Sequence, residues 1–107
     1  GKSMRVVVLG CYAPHAVKGI IAGSDREAAV KALLDKVGGT LVSVMFTRGE
    51  FDILVLADVP DEATAIGLSM AVQASGAVTR VSVLSELDME PVLAAANKAA
   101  AVYEPAG

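Results

Sequence analysis

Two strand-like runs joined by a very short turn constrain the fold more than any other feature of this sequence. Residues 40–48 and 51–58 are rich in aliphatic and β-branched side chains, and only Gly49 and Glu50 separate them. A connection this short makes the two strands antiparallel neighbours, because a parallel pair needs a crossover of a dozen or more residues. The sequence therefore predicts a β-hairpin in the middle of the chain.

A strand and helical segments precede this hairpin. Residues 5–12 form an unbroken apolar strand, after which Pro14 is expected to open a short helix over 14–22. Ser24 and Glu27 form a capping-box pattern that predicts the start of a longer helix. This helix has apolar residues at helical spacing and should stop at the following Gly-Gly pair.

A helix, a strand and a last helix follow the hairpin. Proline and acidic residues open a helix over 60–75, and 77–85 is a fourth strand. Asp88 is expected to cap a final helix that runs to about Tyr103. The order is βαββαβ with an extra C-terminal helix, which predicts an α+β, ferredoxin-like fold with right-handed crossovers.

The central strands are apolar on both faces. In the first strand Val6 and Val8 lie on one side while Val7 and Leu9 lie on the other, and the third strand shows the same pattern. Crossover helices cover only one face of such a sheet, so the other face should be polar if it met water. The pattern therefore favours a homodimer with two sheets face to face, a dimeric α+β barrel. The alternative is that the C-terminal helix folds back over the open face.

Composition limits the classes of function. The 107-residue chain is 54% hydrophobic, carries a formal net charge of −3 and contains two Tyr and two Phe. Scattered Lys and Arg with few aromatic residues argue against nucleic-acid binding. The apolar runs are too short to cross a bilayer. Cys11 is the only cysteine, which excludes an intrachain disulfide and a multi-cysteine metal site and, without a signal-peptide pattern, favours the cytoplasm.

The domain boundaries are expected to be simple. Residues 1–3 precede a methionine and are interpreted as a remnant of expression. Residues 4–103 should form one domain, and 104–107 a tail.

Polar residues cluster where the first strand meets its helix. Tyr12, His15 and Lys18 are the candidates, and the spacing of His15 and Lys18 places both on one helical face, where they could contact one anion. A histidine could also transfer a proton. An ordinary solvated histidine fits this loop equally well, and no ligand set for a metal surrounds it.

Asp52 and Arg80 are further candidates. Asp52 could place a carboxylate at the mouth of a pocket between sheet and helices, or it could form a register-fixing ion pair with Arg48. Arg80 interrupts an apolar strand, so it needs Asp52, Asp58 or an external anion as partner, unless it is an edge-strand charge that blocks aggregation.

Weaker candidates are Ser69, Gln73 and Cys11. Ser69 and Gln73 lie four apart on the second crossover helix and could line a pocket. Cys11 is expected to act as a small buried hydrophobe.

Several short motifs carry a resemblance to a known family. They are YAP at 12–14, VKGI at 17–20, GEFD followed by ILVL at 49–56, and AV at 77–78. With these motifs the chain, from Met4 to about Tyr103, resembles the GYD-domain family of small bacterial and archaeal proteins of uncertain function. Phe51 stands where the family's Gly-x-Tyr-Asp signature has tyrosine. The resemblance implies a plan similar to dimeric α+β barrel proteins.

Three hypotheses for the function follow. The first is a homodimeric binding module for a small anionic or apolar metabolite, contacted by Tyr12, His15, Lys18, Asp52 and Arg80, with no cofactor and no metal. The second is a cofactor-independent isomerase or small oxygenase that uses His15 or Asp52. The third is a structural subunit that assembles into larger rings. Few catalytic polar groups are present, which favours the first or the third.

Overall fold

One antiparallel sheet organises the chain in a computed structural model that describes residues 3–106. Its strands are β1 (Met4–Tyr12), β2 (Thr40–Phe46), β3 (Ile53–Val59) and β4 (Val78–Ser85). They lie in the order β2-β3-β1-β4, so each crossover connection skips one strand. This arrangement confirms the predicted ferredoxin-like α+β fold. The remnant assigned to residues 1–3 lies mostly outside the described residues, as does the last residue of the tail.

Helices occupy the predicted segments. They are α1 (Pro14–Ile21), α2 (Arg26–Lys36), α3 (Glu62–Ala74) and α4 (Met89–Val102). The predicted Ser24 cap of α2 is wrong by one residue, because Asp25 is the N-cap and its Oδ1 accepts a hydrogen bond from the Ala28 N–H at 3.0 Å. A carboxylate accepts this bond more strongly than a hydroxyl and also suits the positive end of the helix dipole.

The central hairpin turn is longer than predicted. β2 ends at Phe46 and β3 begins at Ile53, since the Thr47 side chain closes the turn. Its Oγ1 donates to the Phe51 carbonyl oxygen at 2.6 Å, and its N–H donates to the Asp52 carbonyl oxygen at 2.8 Å. Gly49 has a φ of 130°, which a residue with a side chain rarely adopts.

The hydrophobic core lies on one side of the sheet, under α2 and α3. Val6 and Val59 are each only 1% exposed, and Leu34 of α2 and Ala65 of α3 pack against the same cluster. Burying a Val side chain contributes about 1.5–3 kcal/mol to stability. The most buried residues therefore lie at alternate positions of the central strands, on the side of the sheet that faces α2 and α3.

The alternate residues of these strands form an open sheet face that no element of residues 3–106 covers. Register places Val7 opposite Leu56 and Leu9 opposite Leu54, all with partly exposed side chains. At the two edges, Met45 is 55% and Leu84 52% exposed. The name "open face" is used below for these six apolar residues and for a polar rim of two ion pairs, Arg5 with Asp58 and Arg80 with Glu50. The prediction that the sheet is apolar on both sides agrees with this pairing.

The C-terminal helix α4 does not cover the open face, so the fold-back alternative is wrong for this chain. Every residue of α4 is exposed, and the helix projects from the body. The radius of gyration is 17.7 Å, against about 13 Å for a compact domain of 100 residues. A 14-residue helix without packing contacts is marginal in water, even when it is rich in alanine.

Candidate functional site

A cavity of about 350 Å³ lies between the sheet and helices α2 and α3. Its walls are mostly apolar side chains from β1, β3, β4 and the two helices. They include Val6, Val8, Val30, Leu33, Leu68, Val72, Val78 and Val81. Protein interiors contain few voids larger than a water molecule, whereas ligand pockets measure about 300–1,000 Å³. The size and composition of this cavity are those of a site for a small apolar group.

Tyr12 and Arg26 are the large polar side chains in the otherwise mostly apolar cavity wall. Tyr12 ends β1 and Arg26 begins α2, so two elements bring them together at one end of the cavity. Burial raises the pKa of the Tyr12 phenol, the Arg26 charge lowers it and the Asp52 carboxylate raises it. The net shift is upward, so the phenol is protonated at neutral pH and can donate a hydrogen bond.

Two serines of the cavity wall donate their hydroxyl hydrogen bonds to carbonyl oxygens of their own helix. The Ser69 Oγ donates to the Ile66 carbonyl oxygen at 2.7 Å, and the Ser75 Oγ donates to the Val72 carbonyl oxygen at 2.6 Å. Ser69 therefore lines the cavity as the sequence suggested, but its hydroxyl proton is already used. Gln73, the other weaker candidate on this helix, is exposed and is not part of the wall.

Asp52 lies beside Tyr12 and holds the end of β1. Its Oδ2 accepts a hydrogen bond from the Tyr12 N–H at 2.8 Å, next to an irregularity in the register of β1 and β4. The ion pairs formed within residues 3–106 do not include the alternative pair of Asp52 with Arg48. Asp52 thus acts on the backbone that positions Tyr12, and it is not itself part of the cavity wall.

Arg80 lies on the opposite side of the sheet from the cavity. It pairs with Cys11 across β1 and β4, and its guanidinium donates to the Glu50 Oε1 at 3.0 Å. The guanidinium also stacks over the Phe51 ring, 4.6 Å from the ring centre. The carboxylate partner of Arg80 is therefore Glu50, and the expectation that Asp52 or Asp58 would pair with it is wrong. β4 is an edge strand, as the aggregation-blocking alternative requires.

Cys11 shares this end of the sheet. It is half-buried, and its Sγ lies 3.1 Å from the Glu50 carbonyl oxygen. This contact ties β1 to the hairpin turn.

His15 and Lys18 lie on α1 and are both exposed. The His15 Cε1 is near Gly76, at the end of α3, at 3.9 Å from where a Cβ on that glycine would lie. Neither residue belongs to the cavity wall. The structure therefore brings Tyr12 and Asp52 together, and leaves His15, Lys18 and Arg80 outside the cavity.

Arg26 is the charged residue of the cavity wall, and the sequence analysis does not select it. One signal was available, because a cation at the first position of a helix opposes the helix dipole. Acidic residues are enriched in the first turn of helices, so an arginine at this position stands out in the sequence. The sequence could not show that its side chain enters a cavity.

Residues 3–106 contain no group of three or more His, Cys, Asp or Glu side chains that could hold a metal ion. None of the helices in this part of the chain is long and apolar enough to cross a membrane.

The sequence was compared with curated proteins and with models of protein families. No curated protein matches the sequence at a significant level, but a family model does. The model of the GYD domain matches residues 6–96, which span the sheet except for the first two residues of β1, helices α1–α3 and the first half of α4. This chain therefore belongs to the GYD-domain family.

Proposed function

We propose that this protein is a homodimeric small-molecule-binding domain whose ligand occupies the cavity between the sheet and helices α2 and α3. The observation that carries the proposal is the cavity itself, about 350 Å³ in volume and lined mainly by apolar side chains. The apolar walls of this partly open cavity meet water when it holds no ligand, which costs folding free energy. A bound apolar ligand would recover the contacts that its walls lack.

Binding is better supported than catalysis. The polar groups of the wall are Tyr12, Arg26 and serines bonded to their own helix. These groups do not form a nucleophile with an adjacent base. The two residues proposed for proton transfer lie elsewhere, since His15 is exposed and Asp52 is bonded to the Tyr12 backbone.

The open face supports the pairing of two copies. Its centre is aliphatic, and its rim carries balanced charges, because Arg5 pairs with Asp58 at 2.9 Å and Arg80 pairs with Glu50 at 3.0 Å. The Arg5 hydrogen bond lowers the pKa of Asp58, so this rim pair is charged at neutral pH. A surface with an apolar centre and a neutral rim is suited to a copy of itself across a two-fold axis.

Helix α4 supplies the remaining interface area. Four strands of about seven residues span roughly 19 × 23 Å, while a stable interface buries about 800 Å² per partner. The sheet alone offers roughly half of that area in projection. The exposed apolar stripe of α4, with Met89 at 48% and Leu93 at 53% exposure, would add to it by packing on the second copy.

A cavity-filling variant tests the binding proposal. Ser69→Leu places a bulky side chain in the cavity and removes a hydroxyl that bonds only to its own helix. With 1-octanol as the probe, we expect methyl NMR signals of Val30 and Leu68 to shift in the wild-type protein. The same titration should produce no such shifts in Ser69→Leu.

The matched control is Gln73→Leu, one turn along the same helix and outside the cavity wall. It should bind the probe as the wild-type protein does. Probe shifts confined to the open face, or equal binding by Ser69→Leu, would refute a ligand site in this cavity.

A further inference from the structure

Arg26 is held in the cavity wall without a partner for its buried nitrogen. Its Nε is inaccessible to solvent and forms no hydrogen bond with any described residue. The ion pairs within residues 3–106 use other cations, so no carboxylate of this part of the chain neutralises the Arg26 guanidinium. An unsatisfied buried donor costs folding free energy, particularly when it belongs to a charged group.

The described residues around Arg26 do not supply a carboxylate that neutralises its charge. Asp25 is adjacent, but its carboxylate caps α2 through the Ala28 N–H. The positive end of the α2 dipole lies at the same place, which raises the electrostatic cost of Arg26 further. An anion bound beside the guanidinium would interact favourably with both the Arg26 charge and the positive end of the α2 dipole.

Tyr12 supplies a second donor at this end of the cavity. Its hydroxyl makes no hydrogen bond within residues 3–106, and it is close enough to Arg26 for the guanidinium charge to affect its pKa. Because the serines of the wall donate to their own helix, Arg26 and Tyr12 are the cavity side chains still able to donate to a ligand.

We propose that the cavity takes a small monocarboxylic acid with an apolar body, and that Arg26 binds its carboxylate while Tyr12 donates a hydrogen bond to it. The inference rests on the proposed function, because it names the ligand class of the same cavity. The apolar body of the acid would lie between the sheet and helices α2 and α3, against Val30, Leu68 and Val81.

A carboxylate fits this site better than a phosphate. Within residues 3–106, Arg26 is the only cation in the cavity wall, so it balances a single negative charge. A phosphate monoester carries nearly two charges at neutral pH and would leave one of them desolvated. The cavity volume of about 350 Å³ corresponds to roughly a dozen groups of the size of a water molecule. An acid such as octanoate, or an aromatic acid of similar size, has the matching dimensions.

The test measures the binding of octanoate and of 1-octanol by titration calorimetry, with the wild-type protein and with Arg26→Gln. The two probes have the same carbon chain, but 1-octanol carries no charge. We expect the wild-type protein to prefer octanoate. Arg26→Gln should weaken octanoate binding by about 10- to 100-fold, the range for a hydrogen bond to a charged group. The same variant should change 1-octanol binding by less than about threefold, within the ordinary scatter of neutral contacts.

Arg48→Gln is the matched control, since Arg48 is an exposed arginine outside the cavity wall. It should bind both probes as the wild-type protein does. Without ligand, Arg26→Gln should unfold at the same temperature as the wild-type protein or a higher one, because the variant no longer buries the unpaired Nε–H of a charged group. A purely structural arginine would give a lower unfolding temperature on replacement.

The outcomes separate this inference from the proposed function. If both probes bind equally in the wild-type protein and Ser69→Leu abolishes both, the cavity is a ligand site but the carboxylate inference is refuted. If neither probe binds, both proposals are refuted. Octanoate binding that Arg26→Gln leaves unchanged also overturns the role of Arg26.

Discussion

The Asp61 carboxylate links the stability of helix α3 to pH. Its Oδ1 accepts hydrogen bonds from the Thr64 N–H at 2.8 Å and from the Thr64 hydroxyl at 2.7 Å, which caps α3. These bonds lower the pKa of Asp61, so the folded state releases the proton more readily than an unfolded chain, whose Asp has a pKa of about 3.9. The contribution to stability is complete above that value and is lost as the pH falls through the lower pKa of the folded state.

The variant Asp61→Asn should remove this pH dependence while it keeps the cap, because asparagine is an equally good N-cap. We expect the thermal midpoint of the wild-type protein to fall more steeply than that of Asp61→Asn as the pH drops below about 4. Circular dichroism melts from neutral to acidic pH measure the difference. Asp35→Asn, which alters only an exposed pair with Lys31, is the control. Parallel acid declines in the wild-type protein and Asp61→Asn would contradict the linkage.

The sequence indicated the residues of the cavity only in part. Chemistry and a place at the end of a strand make Tyr12 a candidate in the sequence, and the structure places it in the cavity wall. The same grounds make His15 and Lys18 candidates, yet their helix turns them toward solvent. Spacing shows which residues share a helical face, but the direction of that face depends on how the helix packs. Arg26 was missed for the same reason.

At the scale of elements, α4 is the part of the chain with the least internal support. Its apolar stripe makes no substantial contact within its own chain, so substitutions there should affect pairing and leave the fold intact. We expect Leu93→Glu to weaken the dimer at least about tenfold, which corresponds to about 1.4 kcal/mol, with an unchanged circular dichroism spectrum. Sedimentation equilibrium gives the dissociation constant.

Lys98→Glu is the control for this prediction, because it introduces the same side chain at a polar position of the same helix. It should leave the dissociation constant within about threefold of the wild-type value. A Leu93→Glu variant that pairs normally, or one that loses its folded spectrum, would contradict the proposed role of α4.

The order and type of the elements were predictable from sequence, because hydrophobic period and turn chemistry act locally. The ends were less predictable. The central turn spans more residues than predicted because Thr47 forms hydrogen bonds across it, and the α2 cap lies at Asp25 because its side chain reaches the Ala28 N–H. These hydrogen bonds depend on the path of the backbone, which residue types alone do not fix.

At the scale of the whole molecule, the sheet separates two apolar surfaces with different surroundings. One lies under α2 and α3 and lines the cavity, while the open face is not covered by any element of residues 3–106. Exposed aliphatic surface costs about 25 cal/mol per Å². The account assigns a small acid to the first surface and a second copy to the other.

The pairing of two copies through the open face is the central claim, and the molecular mass in solution tests it most directly. By sedimentation equilibrium the wild-type protein should have twice the 10.9 kDa mass of one chain. Leu56→Lys, at the centre of the open face, should have the mass of one chain and still bind 1-octanol. Ile21→Lys, on an exposed position of α1, should remain dimeric. A wild-type protein that stays at the mass of a single chain at the highest soluble concentration would contradict the account.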